Sequence, residues 1–316
     1  MKILFIDTVH EVLEQRLRLH DFECIDGTAW TYDECIDQLA EIEGIVIRSR
    51  FRMDEDFLKH APGLKFIARS GAGMENIDTV YTESRGIICF NAPEGNRNAV
   101  GEHALGMLLS LFNKLNKADR EVRKGTWDRE GNRGIELDGK TVGIIGYGNN
   151  GSAFAKKLQG FDVTILAYDK YKTDFGNEQV KESSLEELFQ HSDVVSFHIP
   201  QNEETRYMAN KSFFDSFERP IYLINLSRGK IVSTEALVEA MKADKVLGAC
   251  LDVLEYESAS FENAFHQVTD NANLDYLLKS ENTIFSPHVG GWTEESYFLL
   301  SNVLADKILN CKELDV

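Results

Sequence analysis

Residues Thr141 to Ile145 form a short, β-branched apolar run that leads directly into Gly146-Tyr147-Gly148-Asn149-Asn150-Gly151 and then into a helical stretch, Ser152 to Leu158. Glycines at this spacing, with a strand before them and a helix after, leave the chain few alternatives. Gly146 permits a tight turn, Gly148 lets the backbone approach a pyrophosphate, and Gly151 lets the helix pack closely on its strand. The helix N-terminus supplies unpaired N–H groups and the positive end of its dipole. The next strand ends at Asp169, 23 residues after Gly146. A carboxylate there accepts from the adenosine ribose hydroxyls and repels a 2′-phosphate. The motif predicts a site for NAD, while Lys170 and Lys172 keep the use of NADP open.

The same rhythm runs through most of the 316 residues. Apolar runs at Lys2 to Ile6, Phe22 to Ile25, Gly44 to Arg48, Leu64 to Arg69 and Ile87 to Phe90 alternate with amphipathic segments at Glu11 to Leu19, Tyr32 to Ile42 and Asp54 to His60. After an almost wholly apolar helix from Ala99 to Leu115, the alternation resumes at Thr141 and continues to Asp252. Parallel strands with helices on both faces are the architecture such alternation specifies, and at ~150 residues per domain the length suits two of them. The expected fold is α/β, with two doubly wound parallel-sheet domains of Rossmann-like and flavodoxin-like type. From Tyr256 to Asn282 the pattern weakens into an insertion of helix and loop, and a helix from Glu294 to Ile308 closes the chain.

Charge narrows the partners. Lys and Arg total 34 against 52 Asp and Glu, a net charge of −18, the opposite of the basic footprint a nucleic acid or anionic membrane requires. The five cysteines never form Cys-x-x-Cys and sit mostly among apolar neighbours, as reduced thiols of a cytoplasmic protein do. No run of ~18 apolar residues predicts a membrane span, and no Cys/His cluster predicts a metal.

Three further segments place reactive side chains at the ends of predicted strands, the edge where open α/β sheets bind ligands. They are Asn225-Leu226-Ser227-Arg228-Gly229, Asp252 through Glu257, and Ser286-Pro287-His288-Val289-Gly290-Gly291. Singly, each is an ordinary surface or turn residue. Beside a nucleotide site they supply an anion clamp, a carboxylate and a titratable imidazole, which hydride transfer at an alcohol carbon needs in addition to its cofactor.

With these motifs in order, the chain resembles the D-isomer-specific 2-hydroxyacid dehydrogenase family over nearly its whole length. Matching stretches also include Ile47-Arg48-Ser49-Arg50, Ser70-Gly71-Ala72-Gly73 through Asp78, Asn91-Ala92-Pro93 with Asn96, and His198-Ile199-Pro200 with Thr205. The resemblance implies that Arg228 holds the substrate carboxylate and keto oxygen, that His288 is the acid/base and that Glu257 pairs with it. It implies further that Gly71, Ala72 and Gly73 present backbone N–H groups to the carboxylate, with Arg48, Ser49 and Asn96 also on the substrate. His198, Pro200, Thr205, Leu226, Ser227, Asp252, Gly290 and Gly291 join the glycine motif around the cofactor, Asp252 at the nicotinamide carboxamide. It implies a discontinuous substrate domain, residues 1–98 plus 290–316, around a dinucleotide domain of residues 99–289, and a homodimer built on the Ala99 to Leu115 helix.

The chain departs from the family pattern in having Ser258 after Glu257 and Asn150 before the third glycine, which weakens packing there. No regulatory domain is expected beyond Val316. Formate chemistry is disfavoured by Glu257, where those enzymes carry Gln, while phosphite chemistry stays open, as does a nucleotide-sensing corepressor of the same fold. His103, inside an apolar helix, reads as a satisfied core residue. Arg48, Arg50 and Arg52 share strand parity, so they are expected to form a cationic row, joined near Arg228 by Arg69 and Arg97. That row favours a doubly anionic substrate, with 3-phosphoglycerate and 3-phosphohydroxypyruvate first, and glyoxylate, hydroxypyruvate or lactate second.

Overall fold

Runs such as Ile45-Val46-Ile47 and Val194-Val195 are apolar on both faces because parallel strands are covered on both sides, and all five of these residues are fully buried. The computed structural model describes residues 1–257 and 271–314. They divide into two compact units, residues 1–97 with 292–314, and residues 98–257 with 271–291.

In the first unit, β1 (Lys2–Phe5), α1 (Val12–Arg18), β2 (Glu23–Asp26), α2 (Tyr32–Gln38), β3 (Gly44–Ile47), α3 (Glu55–Leu58), β4 (Phe66–Arg69), α4 (Thr79–Ser84) and β5 (Ile88–Phe90) build a parallel sheet of order β2-β1-β3-β4-β5. One core lies on each face, with Leu13, Leu17, Leu300, Leu304 and Ile308 on one side and Leu39, Phe57, Leu58 and Ile67 on the other. The strand order reverses between β1 and β3, so the crevice at the sheet's carboxyl edge opens beside Asp7 and Arg48.

α5 (Pro93–Phe112) begins in the first unit and continues into the second. It starts six residues before the expected Ala99, because Pro93 brings the φ angle a first helical turn needs. The helix stops at Phe112; two residues on, Lys114 adopts φ +52° and a separate helix, α6 (Leu115–Arg123), follows. The second unit continues through β6 (Thr141–Ile145), α7 (Asn149–Leu158), β7 (Thr164–Tyr168), β8 (Val180–Glu182), α8 (Leu185–His191), β9 (Val194–Phe197), α9 (Lys211–Asp215), β10 (Ile221–Asn225), α10 (Thr234–Lys242), β11 (Val246–Leu251), α11 (Ala272–Lys279) and β12 (Thr283–Phe285). Its parallel sheet has the order β12-β11-β10-β9-β6-β7-β8, reversing between β6 and β9. Apolar clusters again cover both faces.

α12 (Glu294–Leu309) returns to the first unit. Thr293 caps it through a reciprocal hydrogen-bonded box with Ser296, and a Cβ on Gly95 would lie 2.7 Å from the Leu300 backbone nitrogen, so the first turn of α5 packs directly on α12. Of the insertion expected between Tyr256 and Asn282, α11 is its helix, and residues 258–270 lie outside the described residues. All five cysteines are unpaired, and burial pushes the Cys24 thiol up to about 11. Among the described residues no helix is long and apolar enough to cross a membrane, and no group of three His, Cys, Asp or Glu is placed to hold a metal.

Candidate active site

At the end of β6 the backbone turns sharply. Gly146 takes φ +93°, and a Cβ on it would lie 2.5 Å from the His198 carbonyl oxygen. A Cβ on Gly151 would lie 2.0 Å from the Gly146 oxygen, whereas one on Gly148 would meet nothing within 4 Å. The turn is therefore closed beneath Gly146 and Gly151 and open above Gly148. Gly148 caps α7 without a side-chain hydrogen bond, and the N–H groups of Asn149, Asn150 and Gly151 meet no protein acceptor among the described residues. This cradle fits a pyrophosphate. Asn150 Oδ1 is buried without a partner, a cost that the hydrophobic residue usual at this position avoids.

Asp169 follows β7, and its carboxylate accepts from the N–H groups of Tyr147 at 2.8 Å, Tyr171 at 3.0 Å and Lys172 at 3.1 Å. Neither neighbouring lysine stands free for a 2′-phosphate. Lys170 pairs with Glu204 at 2.6 Å, and Lys172 donates to the Tyr147 carbonyl. The side chains of other expected cofactor residues are engaged within the fold. His198 turns its imidazole inward onto Ser196 and the Phe154 ring, where burial pushes it down to about 3 and keeps it neutral. The Thr205 hydroxyl donates to the Pro200 carbonyl, closing that turn, and Leu226 is buried.

Three adjacent strand ends carry the reactive groups. After β10, the Ser227 hydroxyl donates to the Phe197 carbonyl and the Asn225 amide to the Arg228 carbonyl. A Cβ on Gly229 would lie 1.9 Å from the Leu254 oxygen, which fixes how closely the Arg228 loop approaches the turn after β11. In that turn the two glutamates divide their work. Glu255 accepts from the Tyr207 hydroxyl and the Thr234 N–H, while Glu257 accepts from the Leu254 N–H at 2.6 Å and from His288 Nδ1 at 2.8 Å.

His288 follows β12 with φ +55°, an uncommon conformation for a side chain with a Cβ. Asp252 holds it there. This carboxylate is 2% exposed and accepts from the N–H groups of Val289 and Gly290 and from the Ser286 hydroxyl, at 2.6–2.9 Å. His103 Nε2 lies 2.8 Å from the Ser286 oxygen, extending the network into α5. Asp252 is thus occupied in fixing the His288 loop rather than turned outward. The pattern that reveals it, an acid at one strand end and a Ser-x-x-x-Gly turn at the next, is visible in the sequence only once the strand order is known.

In the first unit Asp7 Oδ2 accepts from the backbone N–H groups of Arg48, Ser49 and Arg50 at 2.6, 3.0 and 3.2 Å. The expected row of arginines is absent, because β3 ends at Ile47 and strand parity ends with it. Arg50 turns back to donate to the carbonyls of Ile6, Gly27, Thr28 and Trp30. Arg52 pairs with Asp54, and Arg69 donates to the Arg48 carbonyl and lies under Gly71, where a Cβ would stand 2.4 Å from its Nη1. Arg97 is exposed at the start of α5, and Arg48 is half-buried, its guanidinium 3.9 Å from the centre of the Trp292 ring. In the 71–73 loop the Gly71 N–H donates to the Arg69 carbonyl, while those of Ala72 and Gly73 meet no protein acceptor among the described residues. Asn91 fixes the loop through the Ala72 carbonyl at 2.7 Å, and Asn96 Oδ1 in α5 is buried without a partner.

A glycine cradle at a sheet's switch point and a paired imidazole at another strand end of the same sheet define a dinucleotide-binding α/β protein equipped to move a proton. The chain belongs to the D-isomer-specific 2-hydroxyacid dehydrogenase family, whose NAD-binding domain model matches residues 105–290. It is 35% identical over 98% of its length to a D-3-phosphoglycerate dehydrogenase from Archaeoglobus fulgidus, of which it spans 57%. A hydroxypyruvate reductase from Thermotoga maritima is 34% identical, with 90% of this chain and 89% of that protein covered. The solved D-lactate dehydrogenase of Aquifex aeolicus, complexed with NAD and lactic acid, aligns over 100% of this chain and 97% of its own at 27% identity, with a TM-score of 0.83.

Proposed function

We propose that this protein is an NAD-dependent oxidoreductase interconverting a D-2-hydroxy acid and its 2-keto acid, with 3-phosphoglycerate and 3-phosphohydroxypyruvate as the first-choice pair. The observation that carries the chemistry is the 2.8 Å hydrogen bond between His288 Nδ1 and Glu257 Oε2. It leaves Nε2 as the reacting nitrogen. Bound NAD supplies the hydride acceptor for the C2 carbon. As hydride leaves C2, His288 Nε2 takes the hydroxyl proton, and the negative charge of Glu257 steadies the imidazolium that forms. Reduction returns that proton from Nε2 to the keto oxygen. Arg228 polarises the same oxygen and holds the carboxylate.

For the cofactor, Asp169 is the strand-end carboxylate that a 2′-phosphate would meet, and Lys170 beside it is held by Glu204 at 2.6 Å, so NAD is favoured over NADP. Asp169→Ala is expected to narrow the NADH-to-NADPH ratio of kcat/KM by about ten- to hundredfold, the scale of relieving a like-charge contact. Steady-state rates with both cofactors check it.

Support for a phosphorylated substrate comes from Arg48, whose guanidinium makes no hydrogen bond or ion pair among the described residues and so keeps its donors for a distal anion. The deciding experiment is NADH oxidation against a panel of 2-keto acids. Arg48→Ala is expected to raise the KM for 3-phosphohydroxypyruvate about ten- to hundredfold and to leave that for glyoxylate nearly unchanged. Equal effects, or faster wild-type turnover of glyoxylate, would reassign the substrate to the unphosphorylated acids.

A homodimer is the reading favoured by Leu115, Val122, Trp127 and Ile135, apolar side chains 40–78% exposed along the stretch that follows α5. Five thiols without a disulfide support a reducing compartment such as the cytoplasm.

A further inference from the structure

Arg48 and Trp292 both lie in the first unit, one after β3 and the other just before α12. The guanidinium carbon stands 3.9 Å from the indole centre. That is a stacking distance, at which the ring quadrupole attracts the cation and the flat face of the guanidinium is shielded from water. Stacking consumes the face and leaves the in-plane N–H edges open, and a planar cation held this way keeps its two-pronged geometry for an oxyanion. Its surroundings do not neutralise it. Asp7, a carboxylate that acts on it, spends Oδ2 on three backbone N–H groups. Arg50 and Arg69, which would compete for the same anion, are turned onto carbonyl oxygens. The indole is braced in turn, with the Tyr297 ring centre at 5.9 Å and tilted, and Tyr297 set edge-on to His10 at 5.5 Å. Burial works against the charge on Arg48 while Asp7 and Tyr297 sustain it.

We propose that Trp292 is a positioning residue for substrate selection, its indole face holding the Arg48 guanidinium flat so that one edge is presented to the distal dianionic group of the substrate. This rests on the reading that the substrate carries such a group. A flexible arginine would bind a distal phosphate only after losing rotamer freedom, and Trp292 removes that freedom in advance. Without Trp292 the cation survives but its orientation is lost, so binding of phosphorylated substrate weakens while the hydride and proton steps are untouched.

The test compares Trp292→Ala and Trp292→Phe with the wild type on 3-phosphohydroxypyruvate and glyoxylate. Trp292→Ala is expected to raise the KM for the phosphorylated acid by about tenfold, with kcat and the glyoxylate constants unchanged, and Trp292→Phe is expected to recover part of the loss. In an Arg48→Ala background, Trp292→Ala is expected to add nothing. Equal losses on both substrates, or an undiminished loss in that background, would overturn the proposal. Should the wild type not turn over 3-phosphohydroxypyruvate, the substrate reading fails by itself and inorganic phosphate becomes the probe. In a Trp30→Phe/Trp127→Phe chain, where Trp292 is the sole indole, a saturable phosphate-dependent change in emission that Arg48→Ala abolishes sustains the positioning role. No change refutes it.

Discussion

His288→Gln is expected to lower turnover about 10²- to 10⁴-fold while NADH still binds with wild-type affinity. The glutamine fills much of the imidazole's volume but neither takes nor returns a proton at the substrate oxygen, so only the chemical step is lost. The φ of +55° at this position suits Asn better than Gln, and His288→Asn, which eases the backbone, is expected to show the same deficit. Agreement between the two separates lost chemistry from a distorted loop. Glu257→Gln tests the partner. The Leu254 N–H donates to Oε1, so the carboxamide oxygen of the variant stays there and its amino group faces His288 Nδ1. That forces the neutral ring to carry its proton on Nε2, the wrong tautomer for a base. The expected cost is about 10²-fold or more in kcat/KM, the same factor in both directions because the overall equilibrium is unchanged. Rates in both directions at one pH, with NADH binding followed by fluorescence, check both variants. Wild-type turnover in His288→Asn would remove this residue from the mechanism.

The parallel strands were legible because they are buried on both faces and therefore read as uninterrupted apolar runs. β8 was not, since Val180-Lys181-Glu182 is a three-residue edge with two exposed charges. The early start of α5 was hidden by its polar first turns, Glu94 to Asn98, which carry no apolar period. At the site, Gly146, Gly148, Gly151 and Asp169 were readable because each answers a backbone or charge requirement that only a few residue types meet. The choice between Glu255 and Glu257 was different in kind. Both stand in one acidic turn, and what separates them is which backbone N–H groups the turn brings to each, a tertiary fact that came only with the family resemblance. The arginine row failed for a related reason: alternation of faces holds only while a strand lasts, and β3 ends one residue before Arg48. Trp292 carried no signal at all, because its partner lies 244 residues away in the chain and meets it only through the return of α12.

Gly148→Ala is expected to weaken NADH binding about 10²-fold, roughly the loss of one or two hydrogen bonds to a charged group, while moving the thermal unfolding midpoint little. The new methyl group meets no protein atom within 4 Å, so the folded chain accommodates it. The space it fills borders the α7 N-terminus, whose first N–H groups, those of Asn149, Asn150 and Gly151, meet no protein acceptor among the described residues, and a pyrophosphate held there is expected to move outward. Gly151→Ala makes the contrast. Its Cβ would lie 2.0 Å from the Gly146 oxygen, a backbone atom that cannot swing aside, so α7 must shift away from β6. That variant is expected to lose NADH affinity and thermal stability together, because moving α7 also disturbs Phe154, Ala155 and Leu158 in the core. Calorimetric unfolding and NADH titration on both variants separate the two effects. If Gly148→Ala binds NADH as tightly as the wild type, the dinucleotide does not cross this turn and the role assigned to the open cradle is wrong. If it loses affinity only in proportion to lost stability, the glycine is needed for the fold alone.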